Sequence, residues 1–254
     1  ISVSQGVPPF IVAASTGQDL QIVDVAVSYA DNDNCVVASA LEIDANNASE
    51  LAGKKVSVPI GTAAHYGFLK QMSHFGVDVG SMQVVDMAPP EGSAAFAQGS
   101  VDMFCGWGGS LRRALEHGNV LLTGDEKTAL GILVWDVTSV PASFAAEQSD
   151  VLATFLGVTA AANAMWNSGG FNSMMLPHIA KDAGMDEAAT ADTMATFVFP
   201  SVSSQLSSKW LGGSGVTFLK GVADVFVNSG NIPNARDSYA GAVNTDGLNV
   251  LANQ

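Results

Sequence analysis

Between residues 55 and 122 short extended runs alternate with stretches of helical period, and this alternation limits the fold more than any other feature. Lys55–Pro59 reads as a strand, Gly61-Thr62 as a tight turn, and Ala63–Phe75 as a helix ended by Gly76. Tyr66, Leu69, Met72 and Phe75 form the apolar stripe of that helix. Met82–Met87, Val101–Trp107 and Val120–Leu122 are further strands. Helices over Glu91–Gln98 and Ser110–Glu116 separate them, with Pro90 suited to the first turn. A β-α alternation of this kind predicts parallel sheets with crossover helices, an α/β fold. Upstream, Ile1–Ser4, Ile22–Ser28 and Cys35–Val37 read as strands, Gly6–Pro9 as a turn and Phe10–Ser15 as a short helix. After Gly131 the strand Ile132–Thr138 gives way to helices over Ser149–Met165, Asp186–Phe197 and Val216–Asn228. A chain of 254 residues buries a sizeable core, and the strand-rich middle with a helical tail suggests two lobes without a flexible linker.

Charge excludes several partners. The net charge is −14 and only ten residues are Lys or Arg, so the clustered cations that grip nucleic acid or an anionic membrane surface are lacking. No apolar run reaches the ~20 residues of a spanning helix. The four histidines show no metal-ligand spacing, and no metal or cofactor is expected. Cys35 and Cys105 fit one disulfide in an oxidising compartment or two buried thiols, and the plainer reading is two small buried side chains on strands. The chain opens on Ile1 without a leader, which suggests a removed signal peptide or a truncated start.

Pro59–Tyr66 is the best physical candidate for a site. A strand feeds a glycine turn that ends at a helix N-terminus, where free N–H groups and the dipole suit an anion and Thr62 offers a hydroxyl. The plainer reading makes Thr62 an ordinary N-cap. The P-loop lysine is absent. Asp136 lies inside an apolar strand and needs either a partner such as a ligand ammonium or a strand-end position in water. Trp107, followed by Gly108-Gly109, walls a ligand or fills a core. Glu91 suits the first turn of its helix. No GxSxG elbow or placed carboxylate pair marks catalysis, and no catalytic residue is assigned.

Three stretches then share an ordered series with known proteins: Gly53–Tyr66, Val84-Val85-Asp86-Met87-Ala88-Pro89-Pro90-Glu91, and Ala94–Asp102 followed by Trp107. Val120–Gly124, Asn231-Ile232-Pro233 and Asp237-Ser238-Tyr239 continue it. The series resembles the taurine-binding members of the sulfonate/nitrate/thiamine-precursor family of ABC solute-binding proteins. That resemblance implies a type II periplasmic-binding fold of two Rossmann-like lobes with ligand in a cleft between them. Residues 1–36 and 135–254 would form lobe 1 and residues 37–134 lobe 2. It further implies a substrate-binding set of Gln5, Val7, Asn32, Asp33, Thr62, Ala63, His65, Glu91, Trp107 and Asp136.

By the same resemblance the protein is a periplasmic monomer, not an enzyme, that hands taurine or a close relative to an ABC permease. An alkanesulfonate, nitrate or a thiamine-precursor pyrimidine are the alternative ligands. An enzyme of the pyrimidine-synthase branch is the alternative of another class, but its Cys-rich iron motif is not seen. Gly108-Gly109 departs from the usual residue-plus-proline, and a first βαβ region and leader expected before Gln5 are absent from the sequence.

Overall fold

The computed structural model describes residues 1–253. The chain begins with β1 (Ser2–Gly6), α1 (Val7–Ser15) and β2 (Leu20–Ser28), then β3 (Asp33–Ala38), β4 (Lys55–Val58) and α2 (Ala63–His74). It continues through β5 (Gln83–Asp86), α3 (Pro89–Ala97), β6 (Met103–Trp107), α4 (Gly108–Leu115), β7 (Gly118–Val120) and α5 (Gly124–Ala129). β8 (Trp135–Pro141) precedes the helical tail of α6 (Ala142–Glu147), α7 (Ser149–Asn167), α8 (Asn172–Ala183) and α9 (Glu187–Ala195). The last helices are α10 (Val202–Gln205), α11 (Ser214–Asn228) and α12 (Asp246–Ala252). Residues 29–134 form one compact unit, and residues 1–28 with 135–254 form the other.

The 29–134 unit is built on a five-stranded sheet of order β5-β4-β6-β3-β7. β4 runs parallel to β5 and β6, whereas β3 runs antiparallel to β6 and β7. The period of two in each strand divides the side chains between two cores. Val56, Val58, Met103, Cys105, Cys35 and Val37 face Ala64, Phe68 and Met72 of α2. Val36 and Phe104 face the other way, toward Phe96 of α3 and Leu111 and Ala114 of α4. α2 therefore covers one face of the sheet, and α3 with α4 the other.

The other unit has a three-stranded sheet of order β1-β8-β2, and both pairings are antiparallel. Phe10, Ile11 and Ala14 of α1 are buried, as are Leu219, Val222, Ala223 and Phe226 of α11, the helix it packs against. Trp135 meets Trp210 edge-on at 5.4 Å. Asp24 is buried beneath Gln205 and Thr138, and burial raises its pKa above the usual carboxylate value.

Four expectations change. Among the named strands parallel pairing is confined to β4, β5 and β6, because β6 and β7 pair antiparallel with the earlier β3, and β8 pairs antiparallel with β1 and β2. The boundary expected after residue 36 falls inside β3, whose pairing with β6 and β7 draws everything from Tyr29 onward into the 29–134 unit. The helix expected from Phe10 starts at Val7, since Pro8 and Pro9 occupy first-turn positions that need no N–H. Finally, Cys35 and Cys105 face each other across β3 and β6 and form a disulfide.

That bond closes a loop of 70 residues around most of the unit's sheet. Chain entropy assigns such a loop about 4 kcal/mol of stabilisation. Urea unfolding of the C35A/C105A double variant against the oxidised wild type should show a loss of that order, with a steeper slope because the uncrosslinked unfolded chain exposes more surface. A difference under about 1 kcal/mol would put the stability of the unit in its two apolar cores instead.

Candidate functional site

The turn between β4 and α2 satisfies itself in a specific order. Gly61 takes a left-handed conformation with φ +84°, open to glycine without steric strain. Thr62 caps α2: its hydroxyl oxygen accepts from the His65 N–H at 3.4 Å, and its proton goes to the Pro59 carbonyl at 2.7 Å. The Gly61 N–H donates to Nδ1 of His65 at 3.2 Å, and the Ile60 N–H donates to an Asp86 carboxylate oxygen at 3.0 Å. An imidazole that accepts at Nδ1 carries its proton on Nε2 and is neutral. Burial lowers the His65 pKa to about 4, against the partly opposing charge of Asp86. The N–H groups of Ala63 and Ala64 start the helix without an intrahelical acceptor. The hydroxyl expected to meet an anion is thus committed to the cap, and the donors left to this turn are peptide groups on the positive end of the α2 dipole.

Sheet topology sets what surrounds that turn. β4 connects to β5 on one side, while β6 lies on its other side, so the strand order reverses at β4. Open α/β sheets present their crevice at such a switch point, beyond the carboxyl ends of the strands. Trp107 ends β6 on that edge, 38% exposed, and Asp33 pairs with it as the first residue of β3. Asp33 is buried and Asn32 half-buried in the 3-10 turn Ala30–Asn32. Glu91 stands exposed in the first turn of α3. The structure brings Asn32, Asp33, Thr62, Ala63, His65 and Trp107 to one sheet edge, with Glu91 on a helix that begins there.

Gln5, Val7 and Asp136 belong to the other unit. Gln5 Oε1 accepts from the Ser139 hydroxyl at 2.7 Å, which ties its side chain to the sheet. Val7 is buried at the first position of α1, where it contributes packing and a peptide N–H. Asp136 is half-buried in β8 between Gly6 and Val27. A Cβ on Gly6 would lie 3.7 Å from Asp136 Oδ1, so the carboxylate stands beside the start of α1, where negative charge is favoured. Among the described residues no group of three His, Cys, Asp or Glu side chains is placed to hold a metal ion.

Two contributors escaped the sequence reading. Asp86, at the end of β5, anchors Ile60, and a strand-final carboxylate next to a turn was the available sign. Lys127, on α5, has its ammonium buried against backbone carbonyls of residues 30 and 33. The capping box of Thr123 and Glu126 announces that helix but gives no hint of the lysine's partners.

The taurine-binding periplasmic protein of Escherichia coli is 26% identical over 150 residues, 59% of this chain and 46% of that protein. The match therefore spans less than half of that relative. The periplasmic aliphatic sulphonate-binding protein SsuA of Escherichia coli superposes with a TM-score of 0.73 at 21% identity, over 92% of this chain and 72% of SsuA. The alkanesulfonate-binding SsuA of Xanthomonas axonopodis pv. citri, bound to MOPS, gives 0.73 at 21% over 95% and 79%. The fold is that of the type II periplasmic-binding proteins. The model of the family described as NMT1/THI5 like matches residues 8–162, more than half of the sequence, and the chain belongs to that family.

Proposed function

We propose that this chain is the solute-binding protein of an ABC importer, and that its solute is a small sulfonate zwitterion, taurine first. It works in the periplasm by capture and delivery to a membrane permease, as a monomer and without turnover. The observation that supports this best is the β4–α2 turn, where Thr62, His65 and Asp86 bond the turn and the helix-start N–H groups of Ala63 and Ala64 have no intrahelical acceptor. A sulfonate has three acceptor oxygens and no donor, so it suits such a seat. The α2 start takes the sulfonate and the Trp107 indole covers the short carbon chain. Asp136, with Asp33, takes the ammonium. Gln5 and Val7 act beside Asp136 within their own unit, and Asn32 and Glu91 act within the 29–134 unit.

Micromolar capture needs about 8 kcal/mol, within reach of a few charge-assisted hydrogen bonds on a small ion. Hypotaurine, alkanesulfonates, nitrate and a thiamine-precursor pyrimidine are the competing ligands, and calorimetry over that panel ranks them.

Three variants dissect the seat. Ala63→Pro removes one helix-start N–H at a position where proline suits the helix, so α2 should persist in circular dichroism while sulfonate affinity falls about tenfold. Affinity equal to wild type would move the anion elsewhere. Asp136→Ala should weaken taurine by about 10- to 100-fold and an amine-free alkanesulfonate by less than about threefold. Equal losses would take the ammonium away from Asp136.

His65 tests the turn through pH. Its folded pKa lies below the ordinary histidine value, so the unfolded chain binds more protons between 6.5 and about 4. The stabilising contribution is complete above 6.5 and drains away as pH falls toward 4. In His65→Gln, which keeps an acceptor for Gly61, the acid-side loss in thermal scans should be shallower than in wild type. An unchanged slope would assign the acid loss to other groups.

A further inference from the structure

α5 is only six residues long, yet it holds both passages of the chain into and out of the 29–134 unit. The Lys127 ammonium is buried, 1% exposed, and donates to the Ala30 carbonyl at 2.7 Å and the Asp33 carbonyl at 2.5 Å. These two carbonyls bracket Asp31 and Asn32. From the opposite direction, the Gly124 N–H at the start of α5 donates to the Asp31 carboxylate at 2.7 Å. On the return passage Ile132 N–H donates to the Lys127 carbonyl at 2.8 Å, and Tyr29 N–H to Val134 O at 3.1 Å. Residues 30–33 are thus gripped at both ends by one side chain.

A buried ammonium is an expensive way to stabilise a fold, since an apolar side chain of similar volume often does as well or better. Its presence here calls for a role in placement. We propose that Lys127 is the positioning residue for Asn32 and Asp33, holding the entry of β3 in the register that presents both residues at the solute-binding edge. This rests on the functional reading above and adds a residue to it. Arginine would offer charge and donors, but its wider planar head lacks the compact geometry that reaches two nearby carbonyls.

The grip depends on charge. Asp31 in the 30–32 turn and Asp33 in β3 face the ammonium, and their attraction supports the proton that burial disfavours. Burial dominates and draws the pKa down to about 8. A neutral amine keeps N–H donors but loses the charge assistance and the balance to Asp31 and Asp33. Solute affinity should therefore fall on the alkaline side. Stability moves the other way: the unfolded chain binds more protons between about 8 and 10.5, so this titration adds stability as pH rises. A lysine that served the fold alone would leave affinity flat across the interval.

The experiment measures binding of 2-(trimethylammonio)ethanesulfonate, a sulfonate whose cation does not titrate, by calorimetry at pH 7 and 9.5, together with the carbonyl carbon shifts of Ala30 and Asp33 in the ligand-free protein. In wild type, affinity should drop about fivefold to tenfold and both carbonyl shifts should titrate with a shared midpoint. Lys127→Met should bind about tenfold more weakly at pH 7 and change less than about twofold with pH. Lys127→Arg should regain at most part of the loss. Carbonyl shifts that do not titrate, a flat wild-type affinity, or Lys127→Met binding as wild type would each overturn the proposal. Absence of sulfonate binding at every pH would strike the functional reading and the binding role together, and the carbonyl titration would still decide whether Lys127 holds Asn32 and Asp33.

Discussion

The pairing of β3 with β6 is the constraint on which the rest of the 29–134 unit depends. Its register places Cys35 opposite Cys105, and so fixes which faces Val36 and Phe104 present to α3 and α4. Two residues further along it places Asp33 opposite Trp107 at the sheet edge. A slip of one residue would turn every side chain to the wrong core, and the disulfide forbids it. Packing and the candidate site thus share one determinant. The covalent bond sits two residues from Asp33 and from Trp107, so order in the core extends to the edge where a solute would be met.

The strand–turn–helix over residues 55–75 was legible because three local rules agree there. The strand has period two, the glycine marks a positive φ, and the helix carries an apolar stripe with Gly76 beyond it. The cap role of Thr62 was equally legible, yet its hydroxyl cannot serve both the cap and an anion. The structure shows it bonded to Pro59.

Other elements leave weaker marks. α5 and α6 are too short for a period to emerge, and Pro177 interrupts the pattern of α8. The start of α1 was hidden by Pro8-Pro9, which look like a turn and also fit a first helical turn. Lys127 was invisible for a different reason. Its partners are backbone carbonyls 97 and 94 residues away, and a carbonyl has no residue type to read. Asp136 is intermediate: an aspartate in an apolar strand is conspicuous, but its neighbour Gly6 comes from a strand 130 residues earlier in the sequence.

The electrostatics of the sheet edge bear on the proposed preference for a zwitterion over a simple anion. The net charge of −14 works against any anion at long range, although salt confines that field to about 10 Å. At short range Asp86 bonds the very turn whose helix start offers peptide donors, and Asp33 lies on the same edge. His65, in the middle of the turn, is neutral and brings no compensating charge. A bare anion such as nitrate would gain hydrogen bonds from Ala63 and Ala64 while feeling the Asp86 carboxylate, the charge of Asp33 being met by Lys127. A sulfonate carried with an ammonium gains the same hydrogen bonds, and its own cation offsets the field of the acidic groups. Local donors and acidic surroundings, in conflict for a simple anion, become complementary for a molecule that carries both charges.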